Sequence, residues 1–295
     1  MEFENTDELI RLIHLIDIHT RFPVQGQIAG IHHSLFKGQG IEFSDIREYI
    51  PGDDIRSIDW KVTARYGRPY VKEFAEERDQ THYFVVDMSG SGTFGDSISK
   101  QRRMLEIIAS LMFSTLKNND RCGLVIVTDQ VEVSIPPRSG RKHVIRLLST
   151  LIRHNPVSRM SDIRPALVHI TRTLHRSCSV ILFSDFYVPD FSRELKLIRN
   201  HHDVVAIRVT DSHETGLPDV GLIELQDAET GEQILVDTSD NLFRERYDAI
   251  VKEAETEIRS RFSRHKVPFL TIRTDEAYQV PLGRFFAHRR VKGMI

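Results

Sequence analysis

From Thr81 onward the chain alternates short apolar runs with stretches of helical period, and this restricts the fold more than any other feature of its 295 residues. Residues 83–86, 122–128, 179–183, 204–209 and 268–272 are apolar on both faces and strand-sized, the pattern of strands buried within a sheet. Between them, residues 97–116, 141–153, 163–176, 191–200 and 243–262 repeat at helical spacing; in the first of these Met104, Ile107, Ile108, Leu111 and Met112 share one face. Such alternation predicts an α/β fold, a doubly wound and mostly parallel sheet. Two departures are expected. Residues 131–135 follow the second strand after Asp129-Gln130, which makes a hairpin and an antiparallel edge. Between residues 211 and 240, the pieces 221–225 and 233–236, joined through Ala228-Glu229-Thr230-Gly231, form a β-hairpin insertion.

Residues 1–80 lack this alternation. Leu9, Leu12, Ile13 and Ile16 predict a short amphipathic helix over 8–18, glycines and polar residues over 25–40 suggest irregular or short β structure, and 41–78 is crowded with both signs of charge. The expected organisation is an N-terminal extension, 1–80, packed on a main domain, 81–295. A domain of this size hides roughly 75% of its unfolded surface, so a bound metal would serve function rather than stability. Forty Lys and Arg against 42 Asp and Glu leave a net charge of −2, which argues against nucleic acid as a main partner. Cys122 and Cys178 each open an apolar run and read as buried thiols. The acidic start, interrupted by Arg11, His14 and Asp17, is unlike a signal peptide, and no apolar run approaches the roughly 20 residues of a membrane span. The expectation is a soluble, cytoplasmic protein.

Ligands of open α/β sheets bind outside the carboxyl ends of the strands, near the point where strand order reverses. Asp87 and Asp185 both end predicted strands, and Ser89 and Ser91 alternate with Asp87 along the loop that follows. Hard cations take oxygen ligands of this kind and keep several waters. The order Asp87-x-Ser89-x-Ser91, a mid-chain hydroxyl loop and a later strand-end aspartate resembles the metal-ion-dependent adhesion site of von Willebrand A domains. The resemblance implies a metal held by Asp87, Ser89, Ser91, Ser161 and Asp185, with Mg²⁺, Mn²⁺ or Ca²⁺ as the ion. Ser161 stands where the family has threonine, in Met160-Ser161-Asp162 rather than Gly-Thr-Asp; losing the stiffening methyl implies weaker binding, or binding only alongside a ligand. A plainer reading has the serines capping the next helix and the aspartates satisfying loop amides.

A second resemblance rests on Gly38-Gln39-Gly40-Ile41-Glu42-Phe43, then Arg47-Glu48-Tyr49-Ile50-Pro51-Gly52-Asp53-Asp54-Ile55-Arg56-Ser57-Ile58-Asp59-Trp60, then Ala64-Arg65. These segments are similar to the signature of domain-of-unknown-function family 58, and the likeness runs from about Gly30 to Thr274-Asp275-Glu276. It implies a partnership with a MoxR-type AAA+ ATPase in the assembly or maturation of a client protein. Pro51-Gly52 suits a tight turn, and Arg47, Arg56 and Arg65 can pair with Glu48, Asp53, Asp54 or Asp59. Two readings follow for this segment. It is a salt-bridged clamp anchored by Trp60, or its residues Arg47, Asp53, Asp54, Arg56 and Trp60 form a docking face for the partner.

Other signals are discounted. The loop Gly90-Ser91-Gly92-Thr93-Phe94-Gly95 lacks the Gly-Lys-Ser or Gly-Lys-Thr ending of a phosphate loop. The histidine pairs His32-His33 and His201-His202 lack zinc-ligand spacing, and no serine or cysteine sits in a recognisable nucleophile motif. The expectation is a non-enzymatic, metal-dependent protein-binding module. The alternative is an Mg²⁺-dependent hydrolase of a phosphoester, with Arg47 or Arg56 steadying developing charge.

Overall fold

The computed structural model describes residues 42–50, 53–75, 80–90, 99–211, 214, 216–227 and 230–291. They fall into two compact units, one within Phe36–Gln80 and one containing Thr81–Ile295. The expected helix over 8–18 lies outside the described residues.

In the smaller unit, β1 (Glu42–Glu48) pairs antiparallel with β2 (Tyr70–Ala75), and a 3-10 turn (Ile55–Ser57) and a short helix, α1 (Trp60–Tyr66), lie between them. Asp59 caps α1 by accepting the amides of Lys61 and Val62, and Gly67 ends it at φ 71°, where only glycine avoids a Cβ penalty. Thr63 Oγ1 then accepts Tyr70 N–H at 3.0 Å and Tyr70 O accepts Asp59 N–H at 2.8 Å, which fastens the helix to β2. Arg47 grips Asp53 through two hydrogen bonds of 2.6 and 2.8 Å, and Asp53 also accepts Ile50 N–H. Arg68 reaches Glu48 at 3.2 Å. The Arg47–Asp53 pairing is therefore present within this unit. Trp60 opens α1, a helix with no buried residue, and is 67% exposed.

The larger unit is a six-stranded sheet among the described residues, in the order β10-β7-β6-β3-β4-β5. Its elements are β3 (Thr81–Asp87), α2 (Lys100–Lys117), β4 (Arg121–Val127), β5 (Val131–Arg138), α3 (Arg141–Arg153), α4 (Arg164–Thr173), β6 (Ser179–Phe183), α5 (Ser192–His201), β7 (Asp203–Thr210), β8 (Leu222–Gln226), β9 (Gln233–Asp237), α6 (Asn241–Arg264), β10 (Phe269–Arg273) and α7 (Gln279–Val291). Within the six-stranded sheet all ladders are parallel except β4 with β5, and β8 and β9 form a separate antiparallel pair. Counted from β3, the spatial order is 3-2-1-4-5-6, so the chain reverses direction across the sheet between β3 and β6.

Alternation along β3 shows why both sheet faces are covered. Phe84 and Val86 join a buried cluster with Ile108, Met112, Leu147, Leu151, Leu282 and Phe286 from α2, α3 and α7. Tyr83 and Val85 point the other way, to Leu167, Ile170, Leu195, Ile198, Ile258 and Phe262 from α4, α5 and α6. On that second face Phe262 stacks on Phe269 and meets Phe186 edge to face, each 4.8 Å from its ring centre. Each fully buried side chain of this size stabilises the fold by about 1.5–3 kcal/mol relative to exposure. Gly123 is required by a close approach, since a Cβ there would meet Ile135 O at 3.0 Å and the Tyr83 ring at 2.8 Å. Opposite it, β5 carries an extra residue at Pro136-Pro137, a bulge at the sheet edge.

The expected hairpin at the edge and the β8–β9 insertion hairpin are both present. One expectation needs correction. The helix expected over 163–176 stops at Thr173, because Leu174 leaves helical geometry and packs on the second cluster. The last described residues form a helix, α7, that the sequence pattern does not announce: Pro281 sits in the first turn, where its missing amide costs no hydrogen bond, and Gly283 follows. Among the described residues, no helix is long and apolar enough to cross a membrane.

Candidate metal centre

β3 and β6 are neighbours at the switch point, so their carboxyl ends deliver Asp87, Ser184 and Asp185 to one place. Asp87 is the hub. Its carboxylate is 5% exposed; Oδ1 accepts the amide of Ser89 at 3.0 Å, and Oδ2 accepts the hydroxyls of Ser161 at 2.7 Å and Ser184 at 2.8 Å. Burial, and then the charge of Asp185, push the Asp87 pKa up, against the pull of the bonds from Ser161, Ser89 and Ser184. A carboxylate held dry beside a second carboxylate favours a cation.

The two hydroxyls differ in what they have left to offer. Ser161 gives its proton to Asp87 and makes no other hydrogen bond among the described residues, so its lone pairs remain available to an ion. Ser184 also accepts the amide of Phe186 at 2.9 Å, which makes it an orienting residue for Asp87 rather than a ligand. Asp185 lies beside them; its Oδ1 accepts the Tyr187 amide at 3.1 Å and its Oδ2 stands 3.8 Å from Lys100 Nζ.

The loop that brings Ser161 is fixed on both sides. Gly90 N–H donates to Arg159 O at 3.0 Å, joining it to the Asp87 loop, and Asp162 N–H donates to Thr128 O at 2.8 Å. Behind it, Glu132 accepts Thr128 Oγ1, His154 Nε2 and the amides of Val157 and Ser158. Burial alone would raise the Glu132 pKa; the bonds from Thr128, His154, Val157 and Ser158 outweigh it and hold the carboxyl below its usual range.

Of the five residues expected at the metal, Asp87, Ser89, Ser161 and Asp185 come together, and Ser91 lies outside the described residues. The expected docking residues Arg47, Asp53, Asp54 and Trp60 belong to the smaller unit, with the Arg56 side chain outside the description. The sequence reading missed Ser184, Lys100, Glu132 and Glu214. Lys100, the first residue of α2, is 5% exposed and pairs with Glu214 at the start of the insertion. Nothing in the sequence distinguishes it from a solvent lysine. Ser184 had a signal, its place between a buried strand and Asp185. Among the described residues, no group of three His, Cys, Asp or Glu side chains could hold a metal. The cation reading therefore rests on hydroxyls and carboxylates together, and such a hard, oxygen-only set suits Mg²⁺ or a similar ion.

The family profile "Protein of unknown function DUF58" matches residues 45–257. The chain belongs to the DUF58 family. A relative from Mycobacterium tuberculosis (strain ATCC 25618 / H37Rv), "Uncharacterized protein Rv1480", is 30% identical over 96% of this chain and 90% of its own length. "Uncharacterized protein YeaD" of Bacillus subtilis is 30% identical over 39% of this chain and 28% of its own. Among solved structures, BatB from Bacteroides thetaiotaomicron is similar at 14% identity and a TM-score of 0.47, covering 71% of this chain and 98% of that one. Proximal thread matrix protein 1 from the mussel byssus, solved with a zinc-occupied MIDAS motif, is similar at 17% identity and a TM-score of 0.36, over 44% of this chain and 38% of that one.

Proposed function

We propose that this DUF58 protein is a metal-dependent protein-binding module of von Willebrand A type, which holds a divalent cation at the β3–β6 switch point and completes its coordination with a carboxylate from a partner. The observation that carries this reading is the Asp87 carboxylate, buried and bonded at once by hydroxyls from two other loops. Asp87, Ser89, Ser161 and Asp185, with Ser91, would hold the ion, which supplies an electrophilic point for an incoming oxygen. Few carboxylates surround it, so the ion retains positive charge and attracts one more. Lys100, tied to Glu214, keeps Asp185 oriented beside it.

The reading extends to an adaptor that works in the cytoplasm with a MoxR-type AAA+ ATPase on a client protein, by binding rather than catalysis. Membership of the family supports this extension. The test is calorimetric titration of the protein with Mg²⁺, followed by affinity capture of the ATPase with and without chelator. Wild type should bind both, chelator should release the ATPase, and Asp87→Ala should lose the ion. Capture that persists unchanged in chelator and in Asp87→Ala sinks the proposal.

A further inference from the structure

The net charge of −2 is an average over segments of unlike charge. Between Arg138 and Arg176, which follow β5 in the chain, nine Lys and Arg face one acid, Asp162, and that acid is taken by Arg164; Glu132 of β5 is taken by His154. Between Asp211 and Glu257, in the insertion and most of α6, thirteen Asp and Glu of the described residues face three Lys and Arg, whereas the rest of α6, β10 and α7 bring Arg259, Arg261, Arg264, Lys266, Arg273 and Arg284 to the same end.

The basic segment is organised as a line. α3 contains no acid, and its buried face is Val144, Leu147, Leu148 and Leu151. Lys142, Arg146, Ser149 and Arg153 follow the opposite face at helical spacing, and the three cations there are exposed. Among the described residues Arg138, Lys142, Arg146, Arg153 and Arg159 have no ion pair, which leaves their full charge to an outside ligand.

The direction of the line follows from the sheet. β5 runs antiparallel to β4, so α3 starts at the amino edge, where His143 Nε2 meets Cys122 O at 2.9 Å. It ends at the carboxyl edge, where His154 Nε2 meets Glu132 at 2.6 Å. Six residues beyond Arg153 comes Arg159, exposed, whose carbonyl holds the Asp87 loop. The stripe from Lys142 to Arg153 is about 16 Å long at 1.5 Å per residue, and it leads to the metal centre.

We propose that this stripe binds a carboxylate-rich segment of a partner protein, and that the segment ends at the cation. The inference rests on the metal-binding reading above and names the chemistry of the partner. A nucleic acid would meet the same cations, but the net charge of −2 supplies no basic field beyond the stripe to hold a long polyanion, and a side-chain carboxylate is also the group that would complete the coordination of the ion.

The experiment is fluorescence anisotropy of the full-length protein with a fluorescein-labelled peptide of about twelve glutamates, long enough at ~3.3 Å per residue to cover the stripe and the site. The peptide should bind in Mg²⁺ and weaken with salt. Lys142→Glu, Arg146→Glu and Arg153→Glu together should weaken binding at least tenfold, and the matching glutamine variant less, with unchanged circular dichroism for both. The proposal is overturned if wild type does not bind the peptide, if the triple reversal binds within twofold of wild type, or if a single-stranded oligonucleotide of equal charge binds more tightly. Asp87→Ala separates the two readings. If it and chelator change nothing while the reversal still weakens binding, the stripe stands and the metal reading falls; if metal matters and the reversal does not, the stripe falls alone.

Discussion

The two units of this chain are held together by different physics. The sheet unit covers both faces of its strands with apolar clusters, and at the β3–β6 switch point this packing fixes loop ends tightly enough to converge on one carboxylate. In the smaller unit Val71 is the one buried hydrophobic among the described residues, and order comes from a two-strand ladder, a capped helix and the Arg47–Asp53 pair. Packing fixes positions to within van der Waals contact, whereas exposed polar contacts exchange with water at little cost. A metal centre belongs on the first kind of frame.

The sharpest way to break this contrast is through the cores. Phe262→Ala, which empties the centre of the second cluster, should destabilise the sheet unit by about 3–5 kcal/mol in urea denaturation. Hydrogen exchange should show amides of residues 42–75 opening at lower free energy than those of β3, β4 and β6; equal protection would contradict the comparison. Next in size is the metal. Saturating Mg²⁺ at a hundred times its Kd should stabilise wild type by about 2.7 kcal/mol, read as a raised melting temperature, and Asp87→Ala should abolish the rise.

Glu132→Gln should cost about 1–3 kcal/mol at neutral pH, because it leaves the donors behind the Ser161 loop partly unmatched. Since the folded pKa of Glu132 is depressed, its contribution is complete above the ordinary glutamate value and is lost as pH falls through the lowered one. Acid titrations of wild type and Glu132→Gln should therefore converge at low pH. In the smaller unit, hydrogen bonding to Arg47 lowers the Asp53 pKa to about 2. An NMR titration should find that midpoint in wild type and a clearly higher one in Arg47→Ala. The least effect is expected at Trp60: its replacement by alanine should alter stability by no more than about 0.5 kcal/mol, since the ring is exposed.

The strands and the site aspartates were legible because burial on both faces forces unbroken apolar runs, and a run that ends in Asp marks the carboxyl edge. What escaped has physical reasons too. Lys100 opens an amphipathic helix and reads as solvated until the fold buries it against Glu214. Ser184 bonds Asp87 from a strand 97 residues away in sequence, a distance that spacing alone does not express. α7 contains Pro281 and Gly283, which mimic a break. β1 and β2 are rich in charge and lack an apolar run. The whole-chain charge concealed the acid-free line of cations on α3, which becomes meaningful only once that helix runs from the amino to the carboxyl edge of the sheet.

The paired prolines in β5 have a further consequence. Neither Pro136 nor Pro137 carries an amide proton, so the outermost strand among the described residues lacks two donors there, and the bulge bends what is left. That border is a poor template for strand addition. The protein can crowd against copies of itself, or against any extended chain, without the sheet growing from this end.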